Sequence, residues 1–203
     1  MKVNRRSQAE RSAATRAALV RAARLQFAEH GFSGVGTESI VAAAGVTRGA
    51  LYHQFGGKTK LFEAVYEAIE EDLARGLGEL IAAAGVSDPV EVMRLGASAW
   101  LDECAEPEVQ QIVLLDGPAV LGWARWREIG MRYALGLIES LLSHAIELGR
   151  IPPQPVRALA HVFVGALDEA GLYIARSEDQ AAASEEMRTV IDMLVTGIAE
   201  RHQ

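Results

Sequence analysis

The 203-residue chain holds one cysteine, Cys104. An internal disulfide is excluded, and with it the small stapled folds. A reducing, cytoplasmic setting is expected. No run reaches the ~18 apolar residues of a membrane span, because Asp, Glu, Arg or His interrupts every candidate. The basic N-terminus leads into no apolar stretch, so no secretory signal is expected. Catalytic signatures are lacking too. His30, His53, His144, His161 and His202 are scattered, and no HExxH, CxxC or nucleophile elbow occurs. Alternating strand patterns are missing, so no glycine-rich phosphate loop can follow a strand. Neither enzyme activity, a metal site nor a cofactor is expected.

What the sequence does hold is helix. Half of its residues are hydrophobic, enough for a sizeable core without staples. Apolar residues recur at three- and four-residue spacing, as in Leu61, Phe62, Val65, Tyr66, Ile69, Leu73, Leu77 and Leu80. Pro89, Pro107 and Pro118 each suit a helix start. The expected class is all-α with about nine helices. These are a first helix over 13–30, two short ones within 36–55, and a long one from Lys58. Helices then follow from Pro89, Pro107 and Pro118 (this last running to Leu148), over 156–176 and over 184–202.

Charge divides the chain. Residues 1–60 carry ten Lys or Arg against three acids, net +7; residues 61–203 carry ten against 24, net −14. The overall −7 thus hides a basic head that suits a polyanion and an acidic body that repels one. Residues 1–12, with Lys2, Arg5, Arg6 and Arg11, are expected to be a flexible basic arm. The head should span 13–60 and the body 61–203, with no linker between them.

Within the head, residues 37–60 (TESIVAAAGVTRGALYHQFGGKTK) form two short helices and the start of a third. Thr37 is expected to cap the first and Thr47 the second. Gly45 suits the left-handed turn between them. Leu51 and Phe55 share the buried face of the second helix, leaving Arg48, Ala50, Tyr52, His53 and Gln54 outward. Arg48, Lys58 and Lys60 stand at helix N-termini, where a cation opposes the helix dipole. A bound phosphate would resolve that opposition; ordinary solvated charges are the simpler account of any one of them.

The segment 15–69, with AARLQFAEHGF, AAAGVTRGALYHQF and GGKTKLFEAV, resembles the DNA-binding helix-turn-helix of TetR-type transcriptional regulators. Departures are Leu25 and Gln26, which exchange the usual polar and apolar positions, and Ala18 in place of a larger aliphatic. They suggest a slightly repacked first helix, whose apolar positions Ala18, Ala22, Ala23, Leu25 and Phe27 are expected to pack on the two helices after it. The resemblance implies a cytoplasmic homodimer that binds a palindromic double-stranded operator, most simply as a repressor released by a small-molecule ligand. Arg48 is the choice for base readout, since Arg grips guanine bidentately. Gly49 and Ala50 would allow close approach, and Thr37, Thr47, Tyr52, His53 and Lys58 are assigned to phosphates. Glu38 either reads a cytosine amino group or points away.

The body offers two further features. All three tryptophans lie there, among many aliphatics, as core or as walls of a pocket for a small apolar or aromatic ligand. Candidate lining residues are Trp100, Cys104, Asp116, Trp123, Trp126, Arg127, Tyr133 and His144. The last two helices have broad apolar faces with small residues (Gly165, Ala166, Ala170, Gly171), and the resemblance points to them as the dimer interface. His161 and Asp168, seven apart on one face, could be a polar pair at the interface, a pocket edge or merely solvated, and the last is the simplest account. The alternative is a DNA-binding regulator whose body only dimerises or docks a protein.

Overall fold

The computed structural model describes residues 8–199. Every regular element among them is helical: nine α-helices and one π-helical segment. The expected all-α class holds.

Helix α1 (Gln8–Gly34) starts earlier than anticipated. Residues 8–12, assigned to a flexible arm, form its first turns, because neither Gly nor Pro separates them from the alanine-rich run that follows. Residues 1–7 of that arm lie outside the described residues. Gly31 (φ 67°) breaks the helix one turn from its end. The buried face is Leu19, Ala22, Ala23 and Phe27. Leu25, expected on it, is 72% exposed. Its neighbour Gln26 turns inward instead, exchanging hydrogen bonds with Ser39: the amide donates to the Ser39 carbonyl (3.1 Å) and accepts from the hydroxyl (2.7 Å). The repacking suggested by these two residues is thus a polar tie between the first two helices.

Helices α2 (Thr37–Ala44) and α3 (Arg48–Phe55) are joined by a tight turn. Gly45 adopts the left-handed conformation (φ 65°), and its amide and that of Val46 close back on α2 carbonyls. Thr47 caps α3 by accepting from the Ala50 amide at 3.2 Å. Thr37 does not cap α2. Gly36 holds that position without a side-chain bond, and Thr37 is the first helical residue. Ile40, Val41, Leu51 and Phe55 are buried against α1 and α4. The rings of Phe27, Phe32 and Phe62 meet pairwise at 5.3–5.7 Å between centroids, locking α1, its final turn and α4 together.

Helix α4 (Lys58–Ala84) runs unbroken from this head into the body. Helix α5 (Pro89–Glu103) follows, capped by Asp88 with Pro89 in its first turn. The helix expected from Pro107 is instead the π-helical segment Val109–Asp116. The expected single helix from Pro118 to Leu148 is two, α6 (Gly117–Leu121) and α7 (Trp123–Glu147), because Gly122 takes φ 77°, ψ 151°. Helices α8 (Val156–Arg176) and α9 (Gln180–Ala199) complete the bundle. Gly117 is obligatory at its bend: a Cβ there would lie 2.8 Å from the Trp126 ring and 3.2 Å from the Ile112 carbonyl oxygen.

The body stacks α5 between α7 and α9, with α8 bridging α7 and α9 and α4 crossing α5 and α7. One apolar core continues from Leu19 in the head to Val195 in α9. Contrary to the sequence expectation, α8 is long and apolar enough to cross a membrane (mean hydropathy 1.3). Its apolar side is filled by protein: Ala160, Phe163, Val164, Ala170, Leu172 and Ile174 are buried in the bundle.

Candidate functional site

Two places in this fold can hold a partner: the outer face of α2–α3, and a cavity in the body. In the head, Thr47, Arg48, Gly49, Tyr52 and His53 are exposed on one side of α3, with Ala50 half-buried among them. Leu51 and Phe55 fix the opposite side in the core. The cations that seemed unopposed all have protein partners. Arg48 reaches Glu38 of α2 at 3.0 Å and stacks over the Tyr52 ring at 5.5 Å. Lys60 pairs with Glu63 at 2.5 Å, and Glu63 is also gripped by Arg125. Although partial burial raises the Glu63 carboxyl's affinity for a proton, Lys60 and Arg125 prevail and hold it below the usual range. Lys58 departs most from expectation. Its ammonium donates to the carbonyls of Phe32 and Val35, each at 2.8 Å, and sits 4.0 Å above the Phe32 ring. It staples the α1–α2 connection to the start of α4.

The head is tied to the body by charge. Arg24 makes a bidentate bond to Glu108 (both 2.7 Å) and a third to Asp72 (2.6 Å). Asp116, at the end of the π-helical segment, accepts from the Phe32 amide at 2.6 Å and from Gln111 at 3.1 Å. Phe32 is therefore held through its N–H by the body and through its C=O by Lys58.

Between α4, α5, α7 and α8 lies a cavity of about 500 Å³. Its walls are mostly aliphatic and aromatic, including Trp100, Trp126 and Tyr133. Both indole N–H groups are already used, Trp100 on the Leu167 carbonyl (3.0 Å) and Trp126 on the Val113 carbonyl (2.9 Å). They present ring surface rather than donors. The polar groups are Tyr66, Glu70, Glu103, Arg127, Asp168 and the Tyr133 hydroxyl. Arg127 is bonded to Asp168 and to the His161 carbonyl. Burial pushes the Asp168 carboxyl up to about 6 despite that guanidinium. Burial pushes Glu70 up to about 7, against the opposing effect of the Tyr66 hydroxyl, and the nearby Asp168 adds to the rise.

These two regions coincide with two family descriptions. Residues 19–65 match the bacterial regulatory proteins of the tetR family, and residues 90–198 match the tetracyclin repressor-like C-terminal domain. The chain belongs to the TetR family. A TetR-family transcriptional regulator of Pectobacterium atrosepticum is 32% identical over 98% of this chain and all of that one, with a TM-score of 0.84. RolR in complex with resorcinol has the same fold at 22% identity, covering 96% of this chain and 97% of that one, with a TM-score of 0.71. The transcriptional repressor AcnR of Corynebacterium efficiens is 44% identical over 68 residues, 34% of this chain. The match covers about a third (32%) of that curated relative's length.

Of the eight residues expected to line a ligand pocket in this TetR regulator, four line the cavity: Trp100, Trp126, Arg127 and Tyr133. Cys104 does not. It is buried against Gly171, where a Cβ would meet its sulfur at 2.9 Å, and burial pushes its thiol up. Asp116 is taken by the Phe32 amide. Trp123 is 58% exposed, leaning on Trp126. His144 lies on the outer side of α7 beside Glu147. Asp168, for which the solvated reading was preferred, is instead a half-buried partner of Arg127 in the cavity wall. Tyr66 and Glu70 were missed; their i, i+4 spacing was the available signal. Among the described residues no group of three or more His, Cys, Asp or Glu could hold a metal.

Proposed function

We propose that this TetR-family protein is a homodimeric transcriptional repressor that a small apolar or aromatic ligand releases from a palindromic operator. The observation that carries the reading is the position of the cavity. Its wall includes α4 from Tyr66 to Ile81, and the same unbroken helix carries Lys58 and the staple that sets the head. A ligand that favours one tilt of α4 favours one placement of α3, and binding and DNA release share one coupling free energy, typically ~1–3 kcal/mol. The presence of resorcinol in the RolR complex supports a small ligand in this body type. The cavity also weighs against a body that only dimerises or docks a protein.

In this reading the head covers residues 13–60 and the body 61–203. Arg48 reads a base; Gly49 and Ala50 admit the groove edge; Thr37, Thr47, Tyr52 and His53 contact phosphates. Arg48 leaves Glu38 to do so, which costs little because the pair is exposed. Lys58 positions the head and has one N–H left for a phosphate. The dimer forms through α8 and α9, where Val162 (70% exposed) and Met193 (67%) stand out with Tyr173, Val190 and Leu194. The protein acts on DNA in the cytoplasm, as a regulator rather than an enzyme.

The test pairs two signals. Operator fragments selected in vitro are followed by fluorescence anisotropy, while Trp100 and Trp126 report cavity occupancy by emission. Ligands that change the emission should weaken operator binding roughly 5- to 150-fold. Cavity ligands that all leave operator affinity unchanged would sink the proposal.

A further inference from the structure

The cavity carries an imbalance that the general reading leaves open. Three carboxyls, Glu70, Glu103 and Asp168, share its wall with one guanidinium, Arg127. Arg127 is committed to Asp168 and to the His161 carbonyl. Glu70 and Glu103 have no salt bridge among the described residues. Glu70 is 9% exposed, and its one-turn neighbour Tyr66 supplies a hydroxyl but no charge. Across from it stands Gly130 of α7. A Cβ at that position would lie 3.8 Å from both the Glu70 Oε1 and the Tyr66 hydroxyl oxygen. Position 130 thus puts no side chain of its own against the carboxyl, and Glu70 and Gly130 both line the cavity.

Resting on the ligand-release reading above, we propose that the cavity takes a small organic cation, an amine with an apolar body, its ammonium seated on Glu70 in front of Gly130. The aromatic walls fit that class. Trp100 and Trp126 have no free N–H and offer π surface, which attracts a desolvated cation. The carbon body lies along Leu77, Ile81 and Met93. An anion is disfavoured by the buried Glu70 carboxyl, and a neutral ligand gains no ion pair with it.

The proton balance follows. Without ligand, burial favours the protonated Glu70 carboxyl up to about pH 7. The groups facing it are Tyr66 on its own helix, Arg127 and Tyr133 on α7, Asp168 on α8, and Glu103 and Cys104 at the end of α5. The π-helical segment contributes Val113, which does not titrate. An arriving ammonium stabilises the carboxylate, so the carboxyl proton leaves to solvent as the ion pair forms. Ammonium binding below about pH 7 releases a proton; binding at pH 8 releases almost none.

The full-length protein is titrated with three probes of one shape, 4-phenylbutylamine, 4-phenylbutan-1-ol and 4-phenylbutanoate. Calorimetry at pH 6 and pH 8, in buffers of different ionisation enthalpy, counts protons. The amine should bind at least tenfold tighter than the alcohol, with the carboxylate weakest, and should release a proton at pH 6. In Glu70→Gln the amine-to-alcohol ratio should fall at least fivefold, a ratio taken within one variant. The proton count on the unaltered protein decides independently of that variant. Alcohol or carboxylate binding as tightly as the amine, or amine binding without proton release at pH 6, overturns the cation assignment. If such a probe still releases operator DNA, the ligand-release reading stands while this one falls. If the amine binds as expected and DNA is retained, the reverse holds. Binding of none of the three overturns the assignment as well.

Discussion

The Lys58 ammonium lies 2.8 Å from the Phe32 carbonyl oxygen, while the Phe32 amide donates to Asp116 at 2.6 Å. One residue at the end of α1 is thus held from two sides, by the first residue of α4 and by the last of the π-helical segment. A lysine that sequence alone offers to a phosphate is a structural staple.

Lys58→Ala should therefore lower stability by about 1–3 kcal/mol, the cost of charge-assisted bonds lost and carbonyls left unpaired. Urea unfolding measures it. DNA affinity should fall alike for operator and random sequence, because the head itself loosens. An unchanged unfolding midpoint with a salt slope lower by about one would return Lys58 to phosphate contact alone.

Arg48→Ala should behave in the opposite way. Its pair with Glu38 is exposed, and such pairs add little to stability. The unfolding curve should not move, while operator affinity drops about 5- to 100-fold and discrimination relaxes at one base pair. Competition binding with single-base operator variants provides the measurement. An equal loss on every variant would deny Arg48 its base.

The pH dependence of stability should carry the mark of Glu70. Its folded carboxyl titrates near 7 rather than at the ordinary 4.5, chiefly because it is buried. Between those values the native state holds a proton that the unfolded chain has released. Stability contributed by this group is therefore full below about pH 4.5 and is lost as pH rises towards 7, by at most about 3 kcal/mol. Asp168 acts in the same direction up to about 6. Asp72, held below its ordinary range by Arg24, acts oppositely and at lower pH. In Glu70→Gln the slope between pH 5 and 7 should flatten relative to the unaltered protein; parallel curves would contradict the burial argument.

Met193→Glu should yield a monomer. The residue is 67% exposed on α9, and a charge at the centre of an apolar interface costs far more than at a free surface. Sedimentation velocity at micromolar concentration gives the answer. A variant that remains dimeric would place the interface elsewhere.

The head was legible in the sequence because its determinants are local. Gly45, Thr47 and Gly56 each specify a turn or cap within four residues, and Leu51 and Phe55 fix which side of α3 is buried. The body was legible as helices but not as a site. Glu70 stands among Glu67, Glu71 and Asp72 and looks solvated; only the packing of α7, with Gly130 opposite, makes it a cavity wall. The break at Gly122 escaped because a single glycine within an apolar helix costs only ~1 kcal/mol, so the pattern on either side continued through it. Lys58 misled because its carbonyl partners come from a connection with no periodic signal. Leu25 misled because its helical spacing was right and Gln26 took the inner position for a polar reason.

The unbroken course of α4 sets a scale for what a ligand can do. Tyr66 is about 12 Å along the axis from Lys58 and Ile81 about 35 Å, at 1.5 Å per residue. A pivot of about 5° centred near Tyr66 displaces the Lys58 end by about 1 Å; the same pivot centred near Ile81 displaces it by about 3 Å. Contacts at the two ends of the cavity are thus mechanically unequal. In the proposed mechanism, a ligand's length along α4, as much as its affinity, would fix the stroke delivered to α3.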